Sequence, residues 1–335
     1  MINVGVVGVG YWGPNMIRNF TASNRTKVKI CCDLREERLK YIKSQYPSID
    51  VTQEYEKVIQ DPEVDLVIVC TPVYTHFPIA KAALEAGKNV LIEKPMTSSS
   101  EEADQLLELA DRKNLKIFVD HTFLFTGAVR KIKELIHKGE IGDLFYFDSV
   151  RVNLGLFQHD VNVLWDLAPH DISIMHYLIE NAPTSVVATG ADHTGSGLEN
   201  VAYLTVFFPE NMIAHFHTNW LSPVKIRETL IAGSKKMIVW DDNQPSEKVR
   251  IYDKGIEVVK TADDVYNMLI QYRTGDMYCP KIDGREAIGV EVENIADCLE
   301  RNEKPVADGH AGRMVVRILE AAQESIKNRG KEVMI

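Results

Sequence analysis

The chain has 335 residues, 45% hydrophobic and 26% charged, a length that suits two domains and a composition that excludes wholesale disorder. Its net charge is −10 and its basic residues form no block, which excludes nucleic acid and anionic membrane surfaces as expected partners. No apolar run reaches the roughly 18–20 residues that a membrane span needs, and the chain opens on a strand pattern without a basic leader, so a cytoplasmic protein is expected.

Strand-like and helix-like runs alternate over the first third. Strands are expected over Ile2–Val9, Val28–Cys32, Asp65–Cys70, Asn89–Ile92 and Leu115–Val119. Between them lie helical stretches at Met16–Phe20, Glu36–Gln45, Ile79–Ala86 and Ser100–Asn114, with Ser100 as the expected cap of the last. Strands separated by helices rather than hairpin turns imply right-handed crossovers and a doubly wound parallel sheet.

After a helix near Val129–Lys138 the rhythm changes. Apolar residues alternate over Phe145–Asn153, Val186–Gly190, Val201–Phe208, Met212–Trp220, Glu228–Ala232 and Met237–Trp240, which describes a large, mostly antiparallel sheet covered on one face. Helices are expected at His170–Glu180, Arg285–Arg301 and Gly309–Asn328. The domain division is placed at 1–120 and 121–335. Five cysteines in no zinc-like spacing read as buried reduced thiols.

Three stretches carry chemistry. Gly8-Val-Gly10-Tyr-Trp-Gly13 follows the first strand and opens a helix, the context in which G-x-G-x-x-G binds a dinucleotide: a tight turn, a close backbone approach to pyrophosphate, and close helix packing. Tyr11 and Trp12 belong to that loop. Asp33 ends the second strand, where a carboxylate would bind ribose hydroxyls and repel a 2′-phosphate, so NAD is expected over NADP, with Arg35 close by. Thr71, Pro72 and His76 follow the third strand at the same sheet edge and are candidates to line the cofactor cleft. An alternative is that Thr75 caps the next helix and His76 merely packs.

Val90-Leu-Ile-Glu-Lys-Pro-Met96 runs an apolar strand into Glu93 and Lys94, which places an ammonium at the sheet edge where ligands sit. Trp165-Asp-Leu-Ala-Pro-His-Asp171 puts Asp166 and His170 four apart, on one side of a helical turn, a pairing suited to proton transfer. Arg151, Asn153 and Asn162 lie just upstream as candidate substrate contacts. A metal is not expected: His159, Asp160, Asp166, His170 and His176 match no ligand pattern. His215-Phe-His217 reads as decoration of a sheet surface or of an oligomer interface.

The glycine loop, Glu93-Lys-Pro95, the D-x-x-x-H segment and the closing Glu303-Lys-Pro-Val-Ala-Asp-Gly-His310 together resemble the glucose–fructose oxidoreductase / inositol dehydrogenase / MocA family over essentially the whole chain. The resemblance implies a Rossmann domain, then an α/β domain whose open sheet face pairs copies into dimers or tetramers. It also implies oxidation or reduction of a sugar or polyol by a nicotinamide cofactor, with Lys94 as catalytic lysine, His170 as proton-transferring histidine and Asp166 as the substrate-binding acid. Glu93 and Lys94 then also count among the cofactor contacts. The active site is then expected where the two domains meet. The family segment commonly reads D-x-G-x-H, whereas this chain has Ala168 and Pro169. In that form it resembles the sugar-modifying members of surface-polysaccharide and antibiotic-sugar pathways, so a nucleotide-linked sugar is the expected substrate. A free sugar or inositol, or a non-catalytic dinucleotide sensor, are the alternatives.

Overall fold

A computed structural model describes residues 1–155, 157–158, 160–258 and 270–335. The chain divides into two units, Met1–Thr126 with Arg285–Glu320, and Gly127–Gly284 with Ala321–Ile335. A contiguous second domain over 121–335 therefore does not hold: residues 285–320 return to the first unit.

In that unit β1 (Ile2–Val7), β2 (Thr26–Cys32), β3 (Asp50–Thr52), β4 (Leu66–Val69), β5 (Asn89–Glu93) and β6 (Ile117–Asp120) form one sheet, ordered β3-β2-β1-β4-β5-β6. Every neighbouring pair is parallel. The order reverses between β1 and β4, the switch point at which such sheets open a ligand crevice. Leu66–Val69 and Val90–Ile92 are wholly buried, because helices cover both sheet faces and leave no wet side for polar residues.

The covering helices are α1 (Gly13–Ala22), α2 (Glu36–Gln45), α3 (Tyr55–Gln60), α4 (His76–Glu85) and α5 (Ser100–Lys113). The cap of α5 is Ser99, whose side chain accepts from the Glu102 amide at 3.2 Å, rather than Ser100. Ser100 instead gives its hydroxyl to Glu320.

The second unit carries α6 (Gly127–His137), β7 (Leu144–Leu154), α7 (Val163–Leu178), β8 (Ser185–Ala191), β9 (Val201–Phe207), β10 (Ile213–Asn219), β11 (Leu221–Gly233), β12 (Met237–Asp241), β13 (Val249–Val258) and β14 (Ile270–Tyr278). Two helices follow, α8 (Ala287–Arg301) in the first unit and α9 (Gly309–Lys327), before the short β15 (Val333–Met334).

The sheet of the second unit has nine strands, ordered β14-β13-β12-β11-β7-β10-β9-β8-β15. All its pairs are antiparallel except β7 with β10. Helix α7 packs on β7, β9 and β10, over a core that includes Phe147 and Phe216 with ring centroids 5.8 Å apart. On the opposite face of β10, His215 and His217 stack with Tyr203 at 6.3 and 4.5 Å. All five cysteines are free, and Cys279 is exposed rather than buried. No helix among the described residues is long and apolar enough to cross a membrane.

Candidate functional site

The glycine loop follows from its backbone. Gly8 has φ +94°, a left-handed geometry, and a Cβ there would meet the Cys70 carbonyl oxygen at 2.5 Å. At Gly13 a Cβ would meet the Gly8 carbonyl oxygen at 2.2 Å, so both positions exclude a side chain. The Gly8 and Val9 amides donate to Cys32 O and to Asp33 Oδ2. Those of Gly10, Tyr11 and Trp12 have no acceptor among the described residues, as a phosphate-receiving loop before a helix N-terminus requires.

Asp33 is buried and accepts from four donors: Val9 N at 2.9 Å, Arg35 N at 3.0 Å, Arg35 Nε at 3.1 Å and Arg35 Nη2 at 3.4 Å. Burial pushes its carboxyl up, but the Arg35 guanidinium and the two amides outweigh that and hold it below the usual range. Arg35 is thus tied to the Asp33 carboxylate.

Thr71 lies against Gly8, its Cγ2 3.0 Å from where a glycine Cβ would stand. His76, an expected cofactor contact, is only 1% exposed. Its Nδ1 lies 3.0 Å from Pro95 O and its Nε2 2.8 Å from Thr71 O. The imidazole therefore braces two loops, the turn after β4 and the turn carrying Lys94, and is not presented to a ligand. Burial pushes its pKa down. Thr75 is the cap residue of α4, although its hydroxyl serves Thr71 and Pro72 instead of a helix amide. Glu93 ends β5, opposite Asp120 in register, and the half-buried Lys94 follows in a cis peptide with Pro95.

Sequence reasoning passed over what lies beside Lys94. Asp120, closing β6, is 1% exposed and accepts from the Trp12 indole and the Thr122 hydroxyl. It is also hydrogen-bonded to Glu291 of α8, itself 2% exposed. Two signals were available: an acid ending an apolar strand at the same edge as Asp33 and Glu93, and a glutamate flanked by the buried Ile288, Val292 and Ile295 of α8.

In the second unit, α7 starts earlier than expected because Asn162 caps it, accepting from Trp165 N at 3.1 Å. The Asn162 amide donates to Glu199 and Gln323, both at 2.6 Å. Asn162 is therefore a cap with its donors taken, a structural post rather than an open contact. Asp166 and His170 share one side of α7, both half-buried, and Asp166 Oδ2 accepts from Trp220 Nε1 at 3.1 Å. Trp220 is 1% exposed, so the tryptophan ending that strand pattern fixes the carboxylate.

Arg151 does not face outward. Its Nε and Nη2 donate to Asp171 Oδ2 and Oδ1 at 2.7 and 2.8 Å, with both side chains about 5% exposed or less. It binds α7 to β7. Asn153 is half-buried on β7, beside Gly155 and Trp220. Among the described residues no three of His, Cys, Asp and Glu gather as metal ligands, and His159 lies outside them.

Residues 2–121 match the model of an oxidoreductase family with an NAD-binding Rossmann fold, and residues 129–239 match the GFO/IDH/MocA C-terminal domain. The chain belongs to the GFO/IDH/MocA oxidoreductase family. It is an NAD-dependent enzyme of that family, with a glycine loop, helix N-terminus and Asp33 suited to hold the dinucleotide, and the sensor alternative falls away.

UDP-N-acetylglucosamine 3-dehydrogenase of Acidithiobacillus ferrooxidans is 26% identical over 333 residues, covering 94% of either chain. Myo-inositol 2-dehydrogenase of Thermotoga maritima is 22% identical over 346 residues, covering 98% of this chain and 97% of that one. Among solved structures, GenD2 from gentamicin A biosynthesis in complex with NAD superposes with a TM-score of 0.83 at 21% identity. That match covers 100% of this chain and 96% of GenD2, a likeness of fold.

Proposed function

We propose that the enzyme interconverts a secondary alcohol and its ketone on the ring of a nucleotide-linked sugar. The observation that carries this is the pairing on α7: a carboxylate and an imidazole one turn apart, with the carboxylate held by a buried indole. A bound nicotinamide dinucleotide would supply the acceptor or donor of the hydride at the carbinol carbon. In oxidation His170 accepts the hydroxyl proton, Lys94 stabilises the alkoxide character that develops on the oxygen, and Asp166 orients the imidazole or grips a neighbouring hydroxyl. Asn153 is the substrate contact we retain of the three upstream candidates.

Similarity along nearly the whole chain to a UDP-N-acetylglucosamine dehydrogenase supports the nucleotide-linked substrate. A comparable likeness to myo-inositol 2-dehydrogenase supports a second reading, a free sugar or inositol. Copies pair as dimers or tetramers in this proposal through the open sheet face that carries Tyr203, His215 and His217.

The test is a panel of nucleotide sugars, free sugars and inositols followed by nicotinamide absorbance. Turnover confined to free polyols would reject the nucleotide-linked substrate. Lys94→Ala and His170→Ala should each lower turnover by about 10²–10⁴-fold while NADH binding survives. Undiminished turnover in both would reject the assigned roles.

A further inference from the structure

Asp120 and Glu291 are two carboxyls in hydrogen-bond contact, each nearly sealed from water. Two carboxylates cannot both ionise in such a place, so the pair shares a proton. Its position follows from the partners. Asp120 accepts from the Trp12 N–H and the Thr122 O–H and has the Lys94 ammonium nearby. Glu291 has one oxygen, Oε2, buried with no hydrogen-bond partner. A bare oxygen is tolerable on a neutral acid and very costly on a carboxylate. Burial pushes Glu291 well up, and the charges of Asp120 and Glu93 push the same way. For Asp120, burial is opposed by its donors and by Lys94. The proton therefore sits on Glu291 and is donated to Asp120.

This pair is wired to the cofactor loop. The Trp12 side chain is the one Asp120 holds, and the Trp12 carbonyl accepts the Asn15 and Met16 amides at the start of α1. Fixing Trp12 fixes both the loop and the helix end that face the phosphates. The other acids there do something else: Glu286, just before α8, and Glu293, Asp297 and Glu300 within it pair with Arg18 and Arg25 at exposed or half-exposed positions.

We propose that Glu291 is a positioning residue for the dinucleotide: its un-ionised carboxyl holds Asp120 against the Trp12 indole and so keeps the phosphate-receiving loop in its binding form. The proposal rests on the family's NAD chemistry and not on the sugar reading. Ionisation of Glu291 sets two like charges in contact, Asp120 shifts, and the loop loosens. The other groups around the pair that titrate or carry charge are Glu93 and Lys94 at the end of β5, Cys70 after β4, and His121 next to Asp120. All of them remain in Glu291→Gln, whose amide can still donate to Asp120 but cannot ionise.

The experiment has two readouts between about pH 6 and about pH 10: NADH affinity by calorimetry, and the indole N–H resonance of Trp12 in the cofactor-free protein. Wild type should lose up to tenfold in affinity per pH unit above a one-proton midpoint, with the Trp12 resonance moving at the same midpoint. Glu291→Gln should bind within about twofold of wild type at neutral pH and lack both transitions. Glu291→Ala should bind about tenfold or more weakly throughout. A flat wild-type profile, superimposable profiles for wild type and Glu291→Gln, or a neutral-pH loss in Glu291→Gln equal to that in Glu291→Ala would each overturn the proposal. If the Trp12 transition is present and is removed by Glu291→Gln, yet NADH does not bind, the proton arrangement stands and the cofactor reading fails instead.

Discussion

Asp171→Asn is the sharpest perturbation the second unit offers. Asp171 takes two guanidinium N–H groups of Arg151 at 2.7 and 2.8 Å, and Arg151 lies in register with Arg227 across β7 and β11. Removing one partner of a buried ion pair costs about 3–5 kcal/mol, because the charge left behind stays out of water and has lost its hydrogen-bonded counterion. Here the cost belongs at the upper end. Arg151 would then face Arg227, whose nearest acid is Asp242 at 3.8 Å.

Burial and the Arg151 charge already push the Arg227 pKa down. Arg151→Met should cost less, since it relieves that repulsion and leaves Asp171 near the Arg227 guanidinium. The double replacement Arg151→Met with Asp171→Leu removes both charges and should fall within about 1–2 kcal/mol of wild type, or be more stable. Urea unfolding of wild type, Asp171→Asn, Asp171→Leu, Arg151→Met and the double variant measures this. An Asp171→Asn cost below about 1 kcal/mol, or additive single costs in the double variant, would refute the reasoning.

Other outcomes follow from the first unit. Asp33→Ser should weaken NADH binding, free Arg35, and shift the NADPH-to-NADH affinity ratio upward by roughly one to two decades, read by parallel titrations. An unchanged ratio would deny Asp33 its ribose role. Gly13→Ala should abolish dinucleotide binding while the protein still folds, because the added methyl meets the Gly8 carbonyl oxygen at 2.2 Å and the loop must move. Glu291, pushed up first by burial and then by Asp120, keeps its proton in the folded protein and loses it on unfolding above the ordinary glutamate range. Its contribution is thus complete below about pH 4.3 and declines as pH rises toward the folded pKa, by at most about 1.4 kcal/mol per unit. Glu291→Gln should flatten that increment in denaturation midpoints between about pH 5 and about pH 7.

What could be read from the residues was what burial writes into them. The runs at Leu66–Val69 and Val90–Ile92 are apolar because both sheet faces are covered, and they place the acids and the lysine that follow them at one edge. β13 and β14 escaped because they lie at the sheet's rim. Their sequences mix charge and glycine, and most of Tyr272–Tyr278 is exposed, so no alternation marks them.

The first half of β11 escaped for another reason. Pro223 interrupts the pattern, and the register with β7 slips between Leu221 and Ile226. The site residues divide the same way. The glycine loop, Asp33 and the Asp166/His170 spacing are local patterns, visible because each lies within a short interval of chain.

Arg151, Asn162 and His76 looked like ligand contacts because they are polar residues beside such patterns. Each proved to be satisfied within its own unit, by Asp171, by Glu199 with Gln323, and by the Pro95 and Thr71 carbonyls. Trp220 and Glu291 act across 54 and 171 positions of chain (220 − 166; 291 − 120). No interval could have announced them, and the cue each carried was chemical: a polar group placed where its neighbours are apolar. A buried polar group must have a partner, so such a residue in an apolar stripe identifies a site even before its partner is known.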